Sequence, residues 1–329
     1  MEPASERDGS GAVNPAFAAA FDSMGSVALE ESAGVINVAP IVAVDPAGGF
    51  LVADAKEGQA RSYDPRGRLL RTFGHSGRGP GEFQSPVAVL RMASGAVLVA
   101  DAAEGRLTIF DGDGAAVLGT SQTPLFPVYG AAQLSDSTVL LAAHAPSAPA
   151  SPLLHVWNLR SGRAERSFFP TPGGSVVREL APTLGWAAFA LAGDTVAAVF
   201  GLVDTLYVFG TGGSPRSRVR IPFAGFPVVT TPPAAARTDR RRQIRWMEKI
   251  IRVSDVFRLP DGSWLLQYAR VRGAENEWGL LRMSADGRRL FEMDRTPRLV
   301  AVRGDSLFFV DPRSEVPSRW RIARFRAGS

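Results

Sequence analysis

The apolar and polar positions along the chain follow the pattern of short strands separated by turns. Residues 41–73 contain four β-rich runs, each followed by a segment rich in Asp, Gly or Pro. The runs are Ile41–Val44, Phe50–Ala53, Ala60–Tyr63 and Leu69–Phe73. Runs of this length between turn residues are typical of antiparallel strands and not of amphipathic helices. This stretch therefore predicts one four-stranded sheet.

The same unit recurs further along the chain. Phe50-Leu-Val-Ala-Asp54 returns as Val97-Leu-Val-Ala-Asp101, and Tyr63-Asp64 returns as Phe110-Asp111, at an offset of 47 residues in both cases. Later units are marked by an aromatic or apolar residue next to a turn, at Trp157, Phe209, Met283 and Phe325. A period of about 40 to 50 residues is typical of propellers. We therefore predict an all-β fold, a six-bladed β-propeller of four-stranded blades with one helical insertion.

A propeller ring closes only when its first and last blades are joined. The last unit supplies three runs, Leu299–Val302, Leu307–Val310 and Trp320–Phe325. We expect the missing fourth strand from Gly34–Val38, so that its deletion should destabilise the whole ring. The predicted propeller domain is then 34–329, preceded by a flexible acidic leader over residues 1–33 from which any signal is absent or removed.

The connection between the first two units carries a family resemblance. The segment Phe73-Gly-His-Ser-Gly-Arg-Gly-Pro-Gly-Glu-Phe-Gln-Ser-Pro86, together with Ser32-Ala-Gly-Val35, resembles bacterial six-bladed propellers of the NHL-repeat-like kind. The resemblance covers residues 32–120. It implies a bacterial protein that is secreted or periplasmic, and it assigns no activity. In physical terms, the glycines permit a sharp crossing between blades, and Phe83 can fill the gap between them.

Composition and charge narrow the classes of protein. The chain has no cysteine, which excludes disulfides and a thiol nucleophile, and no apolar run reaches the roughly 18 residues of a membrane span. Residues 1–40 carry six acidic side chains and one basic side chain, a net charge of −5. Because the whole chain has a net charge of +5, the remaining residues carry a net charge of +10. Residues 1–11 are polar and show no signal peptide, so a periplasmic or extracellular location rests on the resemblance alone.

The basic charge is concentrated in an insertion at about 224–250. Residues 232–252 hold seven basic and two acidic side chains, and Ile244, Met247 and Ile251 have helical spacing. This predicts an amphipathic helix whose outer face is a candidate anion or partner surface, formed by Arg240, Arg241, Arg242, Arg245 and Trp246. The alternative is a solvated helix that packs on the ring. One aromatic residue in a basic run disfavours nucleic acid, which uses several for base stacking.

Residues for metal or catalytic chemistry are few. Zinc, as in the amidating-lyase propellers, needs three converging ligands, and His75, His144 and His155 are not spaced to suggest them. Lactonase-like propellers hold a divalent ion with Glu, Asn and Asp, and this chain has four asparagines. We expect Asp54 and Asp101 to bind turn amides, and the tryptophans, Trp157, Trp186 and Trp264 among them, to pack in the core. No catalytic, cofactor-binding or metal residue is predicted, and a divalent cation in the central channel is the open alternative.

The sequence favours a non-enzymatic propeller scaffold, monomeric, that binds a small ligand or a protein. A metal-dependent, lactonase-like hydrolase or lyase acting at the central channel is the first alternative. The second is binding of nucleic acid or an anionic surface through the basic insertion. Carboxylates and amides that converge on the channel axis would favour the enzyme, whereas an apolar or arginine-lined mouth would favour binding.

Overall fold

The chain folds into six four-stranded antiparallel sheets arranged as the blades of a ring, in a computed structural model that describes residues 15–32, 41–125, 128–144, 151–237, 239–273, 275–314 and 316–326. In each of the first five blades the strands are paired in chain order, from the innermost strand at the channel to the outermost strand at the rim. The prediction of a six-bladed β-propeller is confirmed. None of the described helices has the length and hydropathy of a membrane span.

The strands of the first three blades follow the predicted repeat closely. Blade 1 consists of Ile41–Val44, Phe50–Asp54, Gln59–Tyr63 and Leu69–Phe73. Blade 2 consists of Pro86–Arg91, Val97–Asp101, Arg106–Phe110 and Val117–Gln122. Blade 3 consists of Val128–Gln133, Thr138–Ala143, Pro152–Asn158 and Arg163–Pro170.

The remaining blades include the ring closure. Blade 4 consists of Ala187–Ala192, Thr195–Phe200, Thr205–Gly210 and Pro215–Arg220. Blade 5 consists of Ile251–Arg258, Trp264–Arg272, Glu275–Met283 and Arg289–Thr296. Blade 6 consists of Leu299–Arg303, Ser306–Val310, Arg319–Phe325 and, as its outermost strand, Phe21–Ala28.

Short helical elements decorate the ring. They are the helices α1 (Pro15–Ala20), α2 (Ser175–Leu184) and α3 (Arg240–Met247) and the 3₁₀ helix Ala234–Arg237. The linker between blades 1 and 2 forms a small parallel pair, His75–Ser76 with Glu82–Phe83. As predicted, Phe83 fills the gap between these blades, since it is fully buried and its ring centroid lies 5.9 Å from that of Phe110.

Apolar packing between neighbouring blades forms the core. The described residues contain six apolar clusters, and each joins two adjacent blades. Successive residues of a strand point to opposite faces, so Leu51 packs toward blade 2 whereas Val52 packs toward blade 6. Each blade therefore buries both of its faces, and the ring as a whole replaces a single central core.

The ring is closed by Phe21–Ala28, which corrects the predicted domain boundary. This strand pairs antiparallel with Arg319–Phe325, with Phe21 opposite Phe325. The predicted closing strand, Gly34–Val38, lies outside the described residues. The position predicted for it, the fourth strand of blade 6, is held by Phe21–Ala28. Part of the presumed flexible leader is therefore structural, because Phe17 and Phe21 in an Ala- and Ser-rich segment anchor it in the cluster between blades 5 and 6.

The insertion between blades 4 and 5 contains the predicted helix, over a shorter range. Asp239 caps the start of α3, where its carboxylate accepts hydrogen bonds from the backbone amides of Arg241 (2.9 Å) and Arg242 (3.3 Å). The helix ends at Met247, so Ile251, which the helical spacing included, belongs instead to the innermost strand of blade 5. The insertion therefore contributes one capped, basic helix to the surface of the ring.

Replacement of Phe21 by alanine is expected to loosen the ring closure. The Phe21 ring is 4% exposed and contacts four aromatic rings at centroid distances of 4.5 to 5.7 Å, those of Phe17, Phe291, Phe309 and Phe325. Loss of this packing should lower the free energy of unfolding by about 3–5 kcal/mol, as measured by urea denaturation. Met24→Ala, on the same strand but 49% exposed, serves as the control and should have an effect below about 0.5 kcal/mol. Equal effects of the two substitutions would contradict a closing role for this strand.

Candidate functional site

The central channel contains a cavity of about 350 Å³ lined by the innermost strands of blades 1 to 5. Small apolar side chains form much of its wall, including Ala43, Ala88, Ala131 and Ala188. Strands that converge on one axis leave room for a cavity only where their side chains are small. A volume of this size is in the range of small-molecule sites, about 300–1,000 Å³.

An aromatic group lies on the side of the cavity formed by blades 3 and 4. Tyr129 and Trp186 lie at the starts of their innermost strands, with ring centroids 6.5 Å apart. The indole nitrogen of Trp186 donates to the backbone carbonyl of Ser254 at 3.3 Å, which ties blade 4 to blade 5. Burial raises the pKa of Tyr129 to about 12, so its hydroxyl remains protonated at neutral pH. The pair thus offers flat apolar faces and a hydroxyl group to a ligand.

A polar group lies next to the aromatic group, where blade 5 meets blade 6. The Asp255 carboxylate lines the cavity and accepts a hydrogen bond from Nε2 of Gln267 at 2.9 Å. Gln267 is 1% exposed; its Nε2 also donates to the carbonyl of Leu299 at 3.0 Å, and its Oε1 accepts from the Leu299 amide at 2.6 Å. The Gln267 side chain thus joins the two blades and fixes the Asp255 carboxylate.

Two arginines flank these groups at the same end of the channel. The guanidinium of Arg252 lies 5.3 Å from the Trp186 ring centroid and donates to Oδ1 of Asn276 at 3.0 Å. The guanidinium of Arg298 lies 5.3 Å from the Trp278 ring centroid. Burial lowers the pKa of both guanidinium groups, and for Arg298 the nearby Asp255 carboxylate acts in the opposite direction. In the described part of the chain, neither arginine forms an ion pair with a carboxylate. The end of the channel where these strands begin therefore holds aromatic rings and, behind them, two arginines that stack on tryptophans.

The candidate surface predicted on the insertion is only partly present. Four of its residues are exposed on α3, namely Arg240, Arg241, Arg242 and Arg245. The fifth, Trp246, was wrongly placed at the surface: it is 8% exposed and packs in the cluster between blades 3 and 4. Its indole nitrogen donates to the carbonyl of Thr230 at 3.2 Å, so it anchors the helix. A role of the four arginines in binding anions or a partner stays a prediction.

The histidines considered as zinc ligands occupy separate environments. His75 is exposed in the linker, 3.9 Å from Glu82. Nε2 of the buried His144 lies 2.9 Å from the Gly185 carbonyl oxygen, and Nδ1 of the buried His155 lies 2.8 Å from the Ser167 hydroxyl. Over the described residues, no three His, Asp or Glu side chains are grouped as a metal ion would require. A divalent cation in the channel stays a hypothesis.

The two repeat aspartates act as predicted. Oδ1 of Asp54 accepts hydrogen bonds from the amides of Lys56 and Glu57 at 3.0 and 3.3 Å. Oδ1 of Asp101 does the same for Ala103 and Glu104 at 2.8 and 3.1 Å, and its Oδ2 also accepts from the Gln84 amide at 2.6 Å. Both carboxylates therefore hold turns and are not available as channel ligands.

Trp186, Arg252 and Arg298 were missed as site residues. Trp186 was grouped with the core tryptophans, yet it is only half-buried, whereas Trp157 and Trp264 are buried as expected. A usable signal was its position directly before the first apolar run of a blade, where an innermost strand enters the channel. Arg298 occupies the equivalent place before Leu299–Arg303, and Arg252 is the second residue of Ile251–Arg258.

Comparisons with known proteins confirm a propeller without showing a family. No protein-family model matches the chain, and no curated protein matches it. A DUF4221 family member from Bacteroides vulgatus has a similar structure at 11% identity and a TM-score of 0.65, over 93% of this chain and 98% of that one. A candidate exported protein from Bacteroides fragilis is 11% identical, with a TM-score of 0.65, over 94% of this chain and 96% of that one. Inactive virginiamycin B lyase from Staphylococcus aureus with quinupristin is 10% identical, with a TM-score of 0.52, over 87% of this chain and 80% of that one. At such identities the likeness establishes the fold alone, and the NHL repeat stays an expectation.

Substitution of Gln267 by alanine is expected to destabilise the junction of blades 5 and 6. It would leave the Leu299 amide and carbonyl and the Asp255 carboxylate without their buried partner. We expect a loss of about 2–4 kcal/mol in the free energy of unfolding, measured by urea denaturation. The control Gln243→Ala, at an exposed position of α3, should change it by less than about 0.5 kcal/mol. A wild-type stability for Gln267→Ala would show that the Gln267 side chain does not hold the two blades together.

Proposed function

We propose that this protein is a non-enzymatic binding propeller whose central cavity takes a small, largely apolar ligand. The observation that carries the proposal is the cavity of about 350 Å³, with an apolar wall and a few convergent polar groups. Sites for small molecules combine these features, since apolar surface supplies affinity and a few polar atoms fix orientation. Here Tyr129 and Trp186 supply flat surface, and Asp255 and Ser254 supply polar atoms.

The lining of the channel favours binding over metal-dependent hydrolysis. Among the described lining residues, Asp255 is the one acidic side chain, and the Gln267 amide engages it. The enzyme alternative requires several carboxylates and amides directed to one point on the axis. Aromatic rings line the cavity instead, in Tyr129 and Trp186.

The proposal includes an exported, monomeric protein. Export is supported by the resemblance of residues 32–120 to exported bacterial propellers and by the structural likeness to the candidate exported protein of Bacteroides fragilis. A monomer is favoured because the ring is closed by its own chain, through the pairing of Phe21–Ala28 with Arg319–Phe325. The ligand therefore has to fit one channel within one chain.

A two-ring aromatic compound should bind in the cavity and be excluded when the cavity is filled. We would titrate the protein with 1-naphthoate and its neutral amide, 1-naphthamide, by isothermal titration calorimetry. At least one compound should bind with a dissociation constant of about 1 mM or below. Ala132→Phe adds a ring to the cavity wall and should weaken binding at least about 10-fold, whereas Ala103→Phe, at an exposed turn, should not. Binding of neither compound, or equal binding to the Ala132 variant with unchanged melting temperature, would refute the proposal.

Divalent metal ions are expected to leave the melting temperature unchanged. The cavity lining offers one carboxylate, Asp255, which is fewer oxygen ligands than Ca²⁺ or Mg²⁺ takes from a protein site. The measurement is a thermal-shift titration with Ca²⁺, Mg²⁺, Mn²⁺ and Zn²⁺ and with EDTA, because a ligand that binds only the folded state raises the melting temperature. A rise that EDTA reverses would favour the hydrolase or lyase alternative and require a search for its substrate.

A further inference from the structure

Asp255 occupies a position that an apolar residue or glycine holds in the other five blades. It pairs with Gln267, which follows Leu266, the partner of the residue two places before the repeat marker Met283. The same register gives one pair of an innermost and a second-strand residue in each other blade: Ile41 with Ala53, Ala88 with Ala100, Gly130 with Ala142, Ala188 with Val199 and Ala301 with Phe308. The fold of a blade therefore does not require a polar side chain at either position.

A β-bulge places Asp255 in the wall of the channel. The register of blade 5 shifts between Val253 and Asp255, so Ser254 is the extra residue of the innermost strand. Val253 and Val256 both pack in the cluster between blades 4 and 5, and the bulge takes the two residues between them out of that alternation. Asp255 lines the cavity together with the residues at the same position in blades 1 to 4, namely Ile41, Ala88, Gly130 and Ala188. Blade 5 thus adds a carboxylate to an otherwise apolar layer of the channel.

One oxygen of the Asp255 carboxylate has no protein partner in the described part of the chain. Oδ2 accepts the hydrogen bond from Nε2 of Gln267 at 2.9 Å, and the backbone of Leu299 uses the other donor and the acceptor of that amide. Oδ1 accepts no hydrogen bond from the described residues and is not enclosed by protein atoms. An asparagine would serve Gln267 equally well, so the fold accounts for one acceptor and not for the second. Oδ1 is therefore available to accept a hydrogen bond from a bound molecule.

The charges near Asp255 favour a ligand without net charge. Burial lowers the pKa of Arg298, and the Asp255 carboxylate opposes that shift, so the two charges influence each other. An anion in the cavity would be repelled by Asp255, and a cation would be repelled by Arg298. An uncharged N–H or O–H group can donate to Oδ1 without either repulsion, and its transfer from water costs less than that of an ion.

We infer that the ligand is an uncharged molecule with an N–H or O–H group that donates to Oδ1 of Asp255 and with an apolar or aromatic body beside Trp186. This inference rests on the proposed function and adds the chemical class of the ligand and the residue that selects it. The indole nitrogen of Trp186 donates to the carbonyl of Ser254, the residue before Asp255, at 3.3 Å, so the acceptor and a flat ring are neighbours in the cavity wall. Such a site rejects an analogue without the donor, because the acceptor would lose water and gain no partner.

Four naphthalene derivatives test the donor and the charge on the wild-type protein by isothermal titration calorimetry. The amide 1-naphthamide is neutral and has N–H donors, the ester methyl 1-naphthoate is neutral and has none, 1-naphthoate is an anion, and 1-naphthylmethylammonium is a cation with N–H donors. The dissociation constant of the amide should be at least about 10-fold lower than those of the ester and the anion. The ester lacks the hydrogen bond to Asp255, and the anion also brings a like charge next to it. The cation should bind more weakly than the amide.

Asp255→Asn should remove the preference for the amide. Asparagine keeps an oxygen for Gln267 and presents an N–H group to the cavity in place of the free oxygen. The dissociation constants of 1-naphthamide and methyl 1-naphthoate should then agree within about 3-fold. The anion 1-naphthoate should bind more tightly than it does to the wild-type protein, because the repulsion by Asp255 is lost. A substitution that only weakened the fold would lower the affinity for all compounds together.

Asp136→Asn is the matched control. Asp136 is exposed in the turn between the first two strands of blade 3 and does not line the cavity. The substitution removes the same charge from the chain and should leave all four dissociation constants unchanged. The melting temperatures of both variants show whether each is folded at the temperature of the titration.

The outcomes separate this inference from the proposed function. Equal affinity of the wild-type protein for the amide and the ester, abolished by Ala132→Phe, would leave a binding cavity and overturn the role of Asp255. Tighter binding of the cation or the anion than of the amide would overturn the uncharged ligand. An amide preference that survives in Asp255→Asn, or an equal effect of Asp136→Asn, would overturn the assignment of the acceptor. Binding of none of the compounds to the wild-type protein would overturn both proposals.

Discussion

The structure depends on the burial of both faces of every blade. A four-stranded sheet with one apolar face can pack on a single partner, but here successive residues such as Leu51 and Val52 pack toward different neighbours. No blade is satisfied until two others flank it, so the ring must close. The antiparallel pairing of Phe21–Ala28 with Arg319–Phe325 provides that closure within blade 6. Residues at the beginning and end of the described chain thus stabilise a ring whose other five blades are formed by continuous segments.

Closure also determines where a binding site can form. Because the apolar clusters lie between blades, the axis itself is lined only by the innermost strands, and small side chains such as Ala131 and Ala188 leave a cavity there. The polar contacts at the cavity cross from one blade to the next, through Trp186 to Ser254 and through Gln267 to Leu299. Structural roles and the proposed binding role therefore meet in the same part of the channel. A change that alters the ligand site at these positions will also alter the junction of two blades.

The repeat predicted from the sequence agrees with the structure where local chemistry determines the element. Asp54 and Asp101 hold their turns by short-range hydrogen bonds, and the sequence alone carries that information. The closing strand was misplaced because its segment is rich in small residues and is fixed by two phenylalanines, Phe17 and Phe21, which contact Phe309 and Phe325 about 300 positions further along the chain. Trp246 was misread for a related reason, since the arginines around it suggested a surface and only the packing of α3 shows its burial.

The channel site could not be predicted because convergence on an axis is a property of the closed ring. Tyr129, Trp186, Arg252 and Arg298 come from blades 3 to 6, and their common position near the start of an innermost strand acquires meaning only once the blades are arranged in a ring. The proteins of similar structure are 10–11% identical to this chain, which shows that the ring tolerates replacement of most side chains. A fold that permits such change restricts function less than the lining of its channel does. Since the interblade clusters stabilise the ring, the residues at the mouth can differ in charge without loss of the fold.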